Sequence, residues 1–309
     1  MSDSLYFAQC RLPQSSGSKE LRFTWDALRG FVSEDNSKFL IHPWIGNDTS
    51  KLFGAISKNE YIERVSYAIG AMQAGVFNKV VFSRTVVVDA PKRRGQALFA
   101  ALLADYPNAF VYWIHHPDFG EWVGATPELL VSKTQDQFTV MSLAGTMPAH
   151  AQQEWSIELK KEQQIVTDEI VRSLHEHAAE EIHVEGPSTF MAGPVQHLCS
   201  QIHFQSADSA SQWADRLSPT PAVCGHPREA ALTWISAHES HNRGLYTGYL
   251  GVVYPTGDAQ LFVNLRCMHW CDDQAILFVG GGLIPESDPS REWDETSWKA
   301  DALRKHLER

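Results

Sequence analysis

The sequence predicts an α+β fold, an antiparallel sheet with helices set between its groups of strands. Three observations lead there. Strand-like segments cluster in two meanders, at residues 109–143 and 246–279, instead of alternating one by one with helices. The longest helical candidate, residues 154–181, separates the meanders and carries an apolar stripe of Leu159, Ile165, Val166, Ile170 and Leu174. A chain of 309 residues, 43% hydrophobic and 20% charged, is long enough and apolar enough for a sizeable globular core. The meanders share a layout that an old duplication would leave, although residue identities do not establish one.

In chain order, residues 5–9, 21–24 and 39–42 read as short strands, with a polar turn at Ser15-Ser16-Gly17-Ser18. Ile62, Val65, Ile69, Met72 and Val76 put one apolar face on a helix over 60–76. The β-branched run after Lys79 predicts a strand over 79–88, and 96–105 a short helix stopped near Pro107. The first meander comprises 109–115, a turn at Asp118-Phe119-Gly120, then 122–124, 129–133 and 138–143. After the long helix come a strand at 197–204, a break at Ser218-Pro219-Thr220-Pro221 and a helix at 228–235. The second meander is 246–254, 260–269 and 274–279. It ends in a Gly280-Gly281-Gly282 turn, and Asp288-Pro289 then reads as N-cap and first residue of a closing helix.

Composition removes several classes of function. A net charge of −11 without a basic block argues against nucleic acid as a partner. No apolar run approaches the ~18 residues of a transmembrane helix. The first residues, Met1-Ser2-Asp3-Ser4, lack the features of a signal peptide, so a cytoplasmic protein is expected. Five scattered cysteines fit reduced thiols. Cys267, His269 and Cys271 share one face of a strand, but tetrahedral zinc wants a fourth ligand, so core packing is the preferred reading. Nothing in the chain specifies an oligomeric state, and a monomer is compatible with it.

The chemistry-bearing residues begin with the closing helix. Glu292, Glu295, Thr296 and Lys299 fall at i, i+3, i+4 and i+7, on one face. A solvated acidic stripe is the ordinary explanation, but three glycines just upstream favour a site for an anion, a cation or both. Lys79 opens an apolar strand, either as a strand-end lysine reaching water or as a partly buried base. Glu128 leads into Leu129-Leu130-Val131, where an ionised carboxylate is costly unless paired. Glu162, one turn after Glu158, and Glu295 together make a carboxylate pair of the kind Mg²⁺ uses alongside water and substrate oxygens. Arg266, placed inside the strand 261–267, calls for a carboxylate partner. His197 reads first as a structural histidine, and Tyr246, between Gly244 and Gly248, as packing or a hydroxyl donor.

Assembled, these segments resemble the chorismate-utilising enzymes: isochorismate, salicylate, anthranilate and aminodeoxychorismate synthases. The resemblance lies in Lys79-Val80-Val81-Phe82-Ser83-Arg84, Gly124-Ala125-Thr126-Pro127-Glu128, Leu143-Ala144-Gly145-Thr146, Lys161-Glu162-Gln163, Pro219-Thr220-Pro221-Ala222-Val223-Cys224-Gly225, Arg243-Gly244-Leu245-Tyr246-Thr247-Gly248, Leu265-Arg266-Cys267 and the stretch from Gly280 to Lys299. It runs in family order from about residue 60 to the end, leaving 1–55 as a shortened N-terminal part before a core of 56–309 in one catalytic domain. It implies an α/β/α sandwich of antiparallel sheet with outer helices, binding chorismate and Mg²⁺ in one cleft.

Lys79 matches the lysine of isochorismate and salicylate synthases, where anthranilate synthases usually have Gln. Ala144 stands where aminodeoxychorismate synthases place a lysine nucleophile, and the Pro-Thr-Pro-Ala-Val-Cys-Gly segment is similar to isochorismate synthases. Leu159 and Gln163 depart from the pattern, which carries an acidic residue and His there. The resemblance implies an isochorismate synthase, an isomerase feeding menaquinone (the preferred pathway) or catechol siderophores. Salicylate synthase and a non-catalytic chorismate- or anion-binding module are the alternatives.

In that reading Lys79 is the base and Glu128 the acid, titrating in opposite abnormal directions. Glu162 and Glu295 hold Mg²⁺, with Glu292 behind them. Gly145, Thr146, His197, Tyr246, Arg266, Lys299 and the N–H groups of Gly280, Gly281 and Gly282 bind substrate.

Overall fold

The computed structural model describes residues 6–14, 19–28, 30–45, 54–90, 95–193, 195–271 and 273–307. Leu5, at the start of the first expected strand, and the turn expected at Ser15 to Ser18 lie outside them.

An N-terminal group of strands comprises β1 (Phe7–Arg11), β2 (Glu20–Asp26), β3 (Gly30–Val32) and β4 (Lys38–His42). Helix α1 (Lys58–Gln73) starts at a capping box between Ser57 and Glu60 and leads into β5 (Lys79–Asp89). Helix α2 (Gly95–Asp105) precedes β6 (Phe110–His116), β7 (Gly120–Thr126), β8 (Leu129–Thr134) and β9 (Gln137–Pro148). Helix α3 (Ile157–Glu176) leads to the hairpin of β10 (Glu180–Ala192) and β11 (Val195–Gln205). Then come α4 (Ala210–Leu217), the two-residue β12 (Gly225–His226) and α5 (Arg228–His238). Strands β13 (Tyr249–Val253), β14 (Ala259–Val263), β15 (Cys267–Cys271) and β16 (Gln274–Leu283) precede α6 (Pro289–Leu307).

Among the described residues all sixteen strands join one sheet, in the order β10-β11-β9-β8-β14-β13-β4-β3-β2-β1-β6-β7-β15-β16-β5-β12. Each pairing is antiparallel. The α+β class with outer helices is what the structure has. One core is largely aromatic and lies among the central strands, with Phe110 stacked on Phe262 at 4.5 Å. Helices α3 and α4 cover β8, β9 and β11 through Val166, Ile170, Leu174 and Trp213. Helices α2 and α6 cover β6, β7, β15 and β16 through Leu98, Phe99 and Leu303, while α1 and α5 cover β5 through Tyr61, Val65 and Trp234.

The N-terminal strands belong to the same sheet as the rest, β1 pairing with β6 and β4 with β13. The structure corrects four expectations. The strand expected over 260–269 is two strands: β14 pairs with β8 and β13, β15 with β7 and β16, and the chain changes partners across 264–266. Arg266 therefore sits in the break, at φ +47°, and not inside a strand. Gly280, Gly281 and Gly282 are not a turn; they continue β16, opposite Ser83, Phe82 and Val81. The long helix ends at Glu176, short of the expected residue 181. The chain turns there into β10, an exposed edge strand with too little apolar content to announce itself.

Candidate active site

Residues from the two ends of the strand order line one cavity. Lys79, the first residue of β5, is fully buried, and its Nζ donates to Glu162 Oε1 at 3.0 Å. Glu162 reaches it because it continues the buried stripe of α3, at i, i+4 and i+8 with Val166 and Ile170. Glu128 lies in the link between β7 and β8, held by Val263 N donating to its main-chain oxygen at 3.0 Å. Burial pushes its carboxyl up to about 8, against the opposing pull of Lys79, Lys299 and Arg266. At neutral pH it is a protonated acid.

Helix α6 starts where expected: Asp288 Oδ1 accepts from Arg291 N at 2.8 Å, and Pro289 is the first helical residue. Of its same-face residues Glu295 and Lys299 line the cavity, whereas Thr296 is buried and accepts from Arg84 Nε at 2.8 Å. Lys299 Nζ donates to Glu295 Oε1 at 2.6 Å and to Gly280 O at 2.9 Å. Burial, reinforced by Glu295 and Glu162, raises the Glu292 carboxyl well above the usual range, and its Oε2 has no hydrogen-bond partner.

The glycines of β16 act by what they lack. A Cβ on Gly282 would lie 2.2 Å from Glu162 Oε1 and 3.1 Å from Lys79 Cε. One on Gly281 would lie 3.0 Å from Glu292 Oε2, and one on Gly280 2.9 Å from Tyr246 Oη. Their role here is to let side chains close over the strand, in place of the anion-binding turn expected of them.

These carboxylates fit a hard divalent cation. Among the described residues no three His, Cys, Asp or Glu side chains form a closed metal-binding cluster. Two carboxylates with water and substrate oxygens are nevertheless what Mg²⁺ typically takes. Glu162 and Glu295 each engage one oxygen with a lysine, and their charges help to raise the carboxyl of Glu292, whose Oε2 has no hydrogen-bond partner, which marks a local excess of negative charge.

The opposite wall carries the neutral and cationic groups. Arg266 Nη2 approaches His197 Nε2 at 3.2 Å. A guanidinium only donates, so Nε2 accepts and the proton sits on Nδ1, which donates to Gly145 O at 3.1 Å. Burial, then Arg266 and Lys299, keep this imidazole neutral, far below its ordinary value. Thr146 Oγ1 lies 3.2 Å from the same Nδ1. Tyr246, in the turn before β13, is buried and its phenol is pushed up by that burial, so it offers a hydroxyl proton. Gln163, departing from the resemblance, turns away from the cavity and donates to Thr167 Oγ1 and Ser200 Oγ, both at 2.9 Å.

All fourteen residues singled out in the sequence, from Lys79 to Lys299, lie on or directly against this cavity. Of the tempting zinc set, Cys267 is buried, His269 Nδ1 lies 3.1 Å from Glu121 O and Cys271 is exposed. Sequence reasoning misses Ser83, Glu239 and Arg243, a buried polar cluster behind β5. Arg243 and Ser83 each stand in a segment of the resemblance, and that is their one signal.

The profile of the family described as chorismate binding enzyme matches residues 32–308, nearly thirty residues further upstream than the resemblance reached. The chain is 28% identical to the vibriobactin-specific isochorismate synthase of Vibrio cholerae over 81% of this chain and 67% of that protein. It is 30% identical to the isochorismate synthase EntC of Escherichia coli K12, over 73% of this chain and 61% of that one. The chain thus spans about two thirds or less of the length of these relatives. Among solved structures, a putative 2,3-dihydroxybenzoate-specific isochorismate synthase from Bacillus anthracis superposes with a TM-score of 0.74. That match has 25% identity and covers 98% of this chain and 83% of the other. Anthranilate synthase component I of Streptococcus pneumoniae, at 20% identity and a TM-score of 0.70 over 86% of this chain and 59% of its own, shares the fold. With the profile matching most of its length, this chain belongs to the chorismate-binding enzyme family.

Proposed function

We propose that this protein is an isochorismate synthase, converting chorismate to isochorismate by adding water at C2 and losing the C4 hydroxyl. The observation that carries the reading is Glu128: a buried carboxyl raised to about 8 within the electrostatic reach of buried Lys79, on a cavity also lined by Glu162, the partner of that lysine. An acid that keeps its proton at neutral pH, facing an amine, is what a divided acid–base pair requires.

Lys79 Nζ takes a proton from the water that attacks C2. The ring double bonds shift, and Glu128 gives its proton to the C4 oxygen, which leaves as water. One water enters and one departs, and solvent returns the proton from Lys79 to Glu128. Arg266 and the Tyr246 hydroxyl hold the enolpyruvyl carboxylate, and neutral His197 keeps Arg266 aimed by accepting from it. Lys299 supports the ring carboxylate. Glu162 and Glu295, with Glu292 behind them, would hold Mg²⁺, whose charge would draw that carboxylate into place.

A vibriobactin-specific isochorismate synthase and the isochorismate synthase MenF of Bacillus subtilis both match, and menaquinone remains the preferred destination of the product. Reaction inside the cell, in the cytoplasm, belongs to the same proposal; no helix of the described residues is long and apolar enough to cross a membrane.

The test is incubation with chorismate and Mg²⁺, with the product identified by mass and chromatography. Isochorismate is expected, and activity should vanish after exhaustive EDTA treatment. Salicylate with pyruvate would reassign the chain to salicylate synthase, which would share Lys79. Binding in calorimetry without any product would make it a chorismate-binding module.

A further inference from the structure

Strand β5 carries Lys79, yet its two edges are supported unequally. One edge pairs with β16 along ten residues, whereas the other meets only the two residues of β12. Just beyond β12, Val81 N donates to Cys224 O at 2.7 Å. The next main-chain groups along that edge are taken by side chains. Arg243 Nη2 donates to Val81 O at 2.9 Å, and Ser83 N donates to Glu239 Oε1 at 2.8 Å. Ser83 Oγ donates to the same oxygen at 2.7 Å and lies 3.0 Å from His241 Nε2.

Arg243 and Glu239 are themselves joined in a two-point ion pair, Nε to Oε2 at 2.8 Å and Nη2 to Oε1 at 2.6 Å. Arg243 also donates through Nη1 to Val223 O at 2.8 Å and to Thr247 Oγ1 at 3.1 Å. Both residues are buried, 2% and 4% exposed. Burial alone would raise the Glu239 carboxyl, but Arg243, together with His241 and Ser83, outweighs it and holds the group below its ordinary value. Apolar residues of equal volume fill such a space without loss in many proteins. Here they would strand Val81 O and Ser83 N, which the ladder to β16 does not serve.

We propose that the Glu239–Arg243 pair stands in for a neighbouring strand and is the positioning element of Lys79. Val81 and Ser83, the two residues it grips, follow Lys79 on the same face of β5. The same guanidinium holds Val223, which lines the cavity, and Thr247, which adjoins Tyr246. One buried pair therefore sets the distance between the strand bearing the base and the wall opposite it. Neither residue lines the cavity, so the effect acts through β5. This inference rests on the reading of Lys79 as the proton acceptor.

The test is E239Q in the full chain, read by steady-state kinetics with chorismate and by amide exchange. Misplacing a reacting group by ~1 Å costs about 10²-fold. The expected result is therefore a fall of about that size in kcat, with KM within about threefold of wild type. Exchange at Ser83 should accelerate while the amides bonded to β16 keep their protection. Unchanged kcat alongside faster Ser83 exchange would overturn the proposal, leaving a structural brace alone.

Should E239Q fail to fold, S83A keeps the ion pair and removes only the hydroxyl link. It is expected to lower kcat about tenfold at constant KM, and wild-type kcat would overturn the proposal. If wild type makes no isochorismate, the functional reading fails separately. The brace is then read by exchange alone: a Ser83 amide protected in wild type and released in E239Q supports it, and one unprotected in both overturns it.

Discussion

At the scale of the residue, Glu128 makes two distinct predictions from one fact. Its carboxyl is displaced from 4.5 to about 8, chiefly by burial. In the proposed role of acid it must be protonated, so kcat/KM should fall as pH rises through about 8. E128A and K79A should each lose ~10²–10⁴ in kcat; near-normal turnover in either would remove that residue from the chemistry. Stability follows the same proton with a definite sign. Below pH 4.5 the folded and unfolded chains both hold it. Between 4.5 and about 8 the unfolded chain releases it while the folded chain keeps it, so stability declines across that window and levels off above it. The full displacement corresponds to on the order of 5 kcal/mol. E128Q cannot ionise, so it should gain on wild type in denaturant titrations as pH rises from 4.5 to about 8, and a constant difference would refute the displacement.

At the scale of the element, β16 and α6 show what spacing discloses and what it hides. The i, i+3, i+7 placement of Glu292, Glu295 and Lys299 is legible because a helix repeats every 3.6 residues whatever surrounds it. Three glycines in a row instead suggest a turn, because their permissiveness is visible in sequence and the neighbours that require it are not. In the structure they run straight along β5, and each omitted Cβ leaves room for a particular side chain. That difference grades the substitutions. G282A places a methyl 2.2 Å from Glu162 Oε1 and 3.1 Å from Lys79 Cε, so the pair must separate. The obstructed atoms are ends of side chains and the backbone is extended, so the fold should persist while kcat falls by about 10²-fold. G281A meets Glu292 Oε2 at 3.0 Å and, at ordinary contact distance, Glu295 Oε1 at 3.6 Å, and should cost under about tenfold. Kinetics and thermal melts of the two variants decide it, and equal losses would deny the close approach its importance.

At the scale of the whole molecule, the fold class is legible from the meanders, but the strand order is not. Nothing local in residues 7–42 says that β1 will lie against β6 or β4 against β13, because such pairings depend on partners distant in the chain. The exposed β10 lacks the apolar alternation that marks a buried strand, and α4, although Ala210, Trp213, Ala214 and Leu217 give it a buried stripe, spans only eight residues, too few for the period to stand out. The strand order nevertheless creates the site. Glu162 stands on α3, packed against β9 and β11 at one end of the order, and Glu295 on α6, packed against β16 and β5 at the other. A cation held by both carboxylates would therefore tie together two ends of the sheet that otherwise meet across the cavity. Such a ligand stabilises the native state by ~2.7 kcal/mol when its free concentration is 100 times Kd. Mg²⁺ alone, without chorismate, should accordingly raise the thermal midpoint by a few degrees over an EDTA control. E162Q and E295Q should each abolish that rise while melting cooperatively. A rise that survives both substitutions would place the cation elsewhere, and no rise in wild type would mean that the carboxylates accept it only together with substrate.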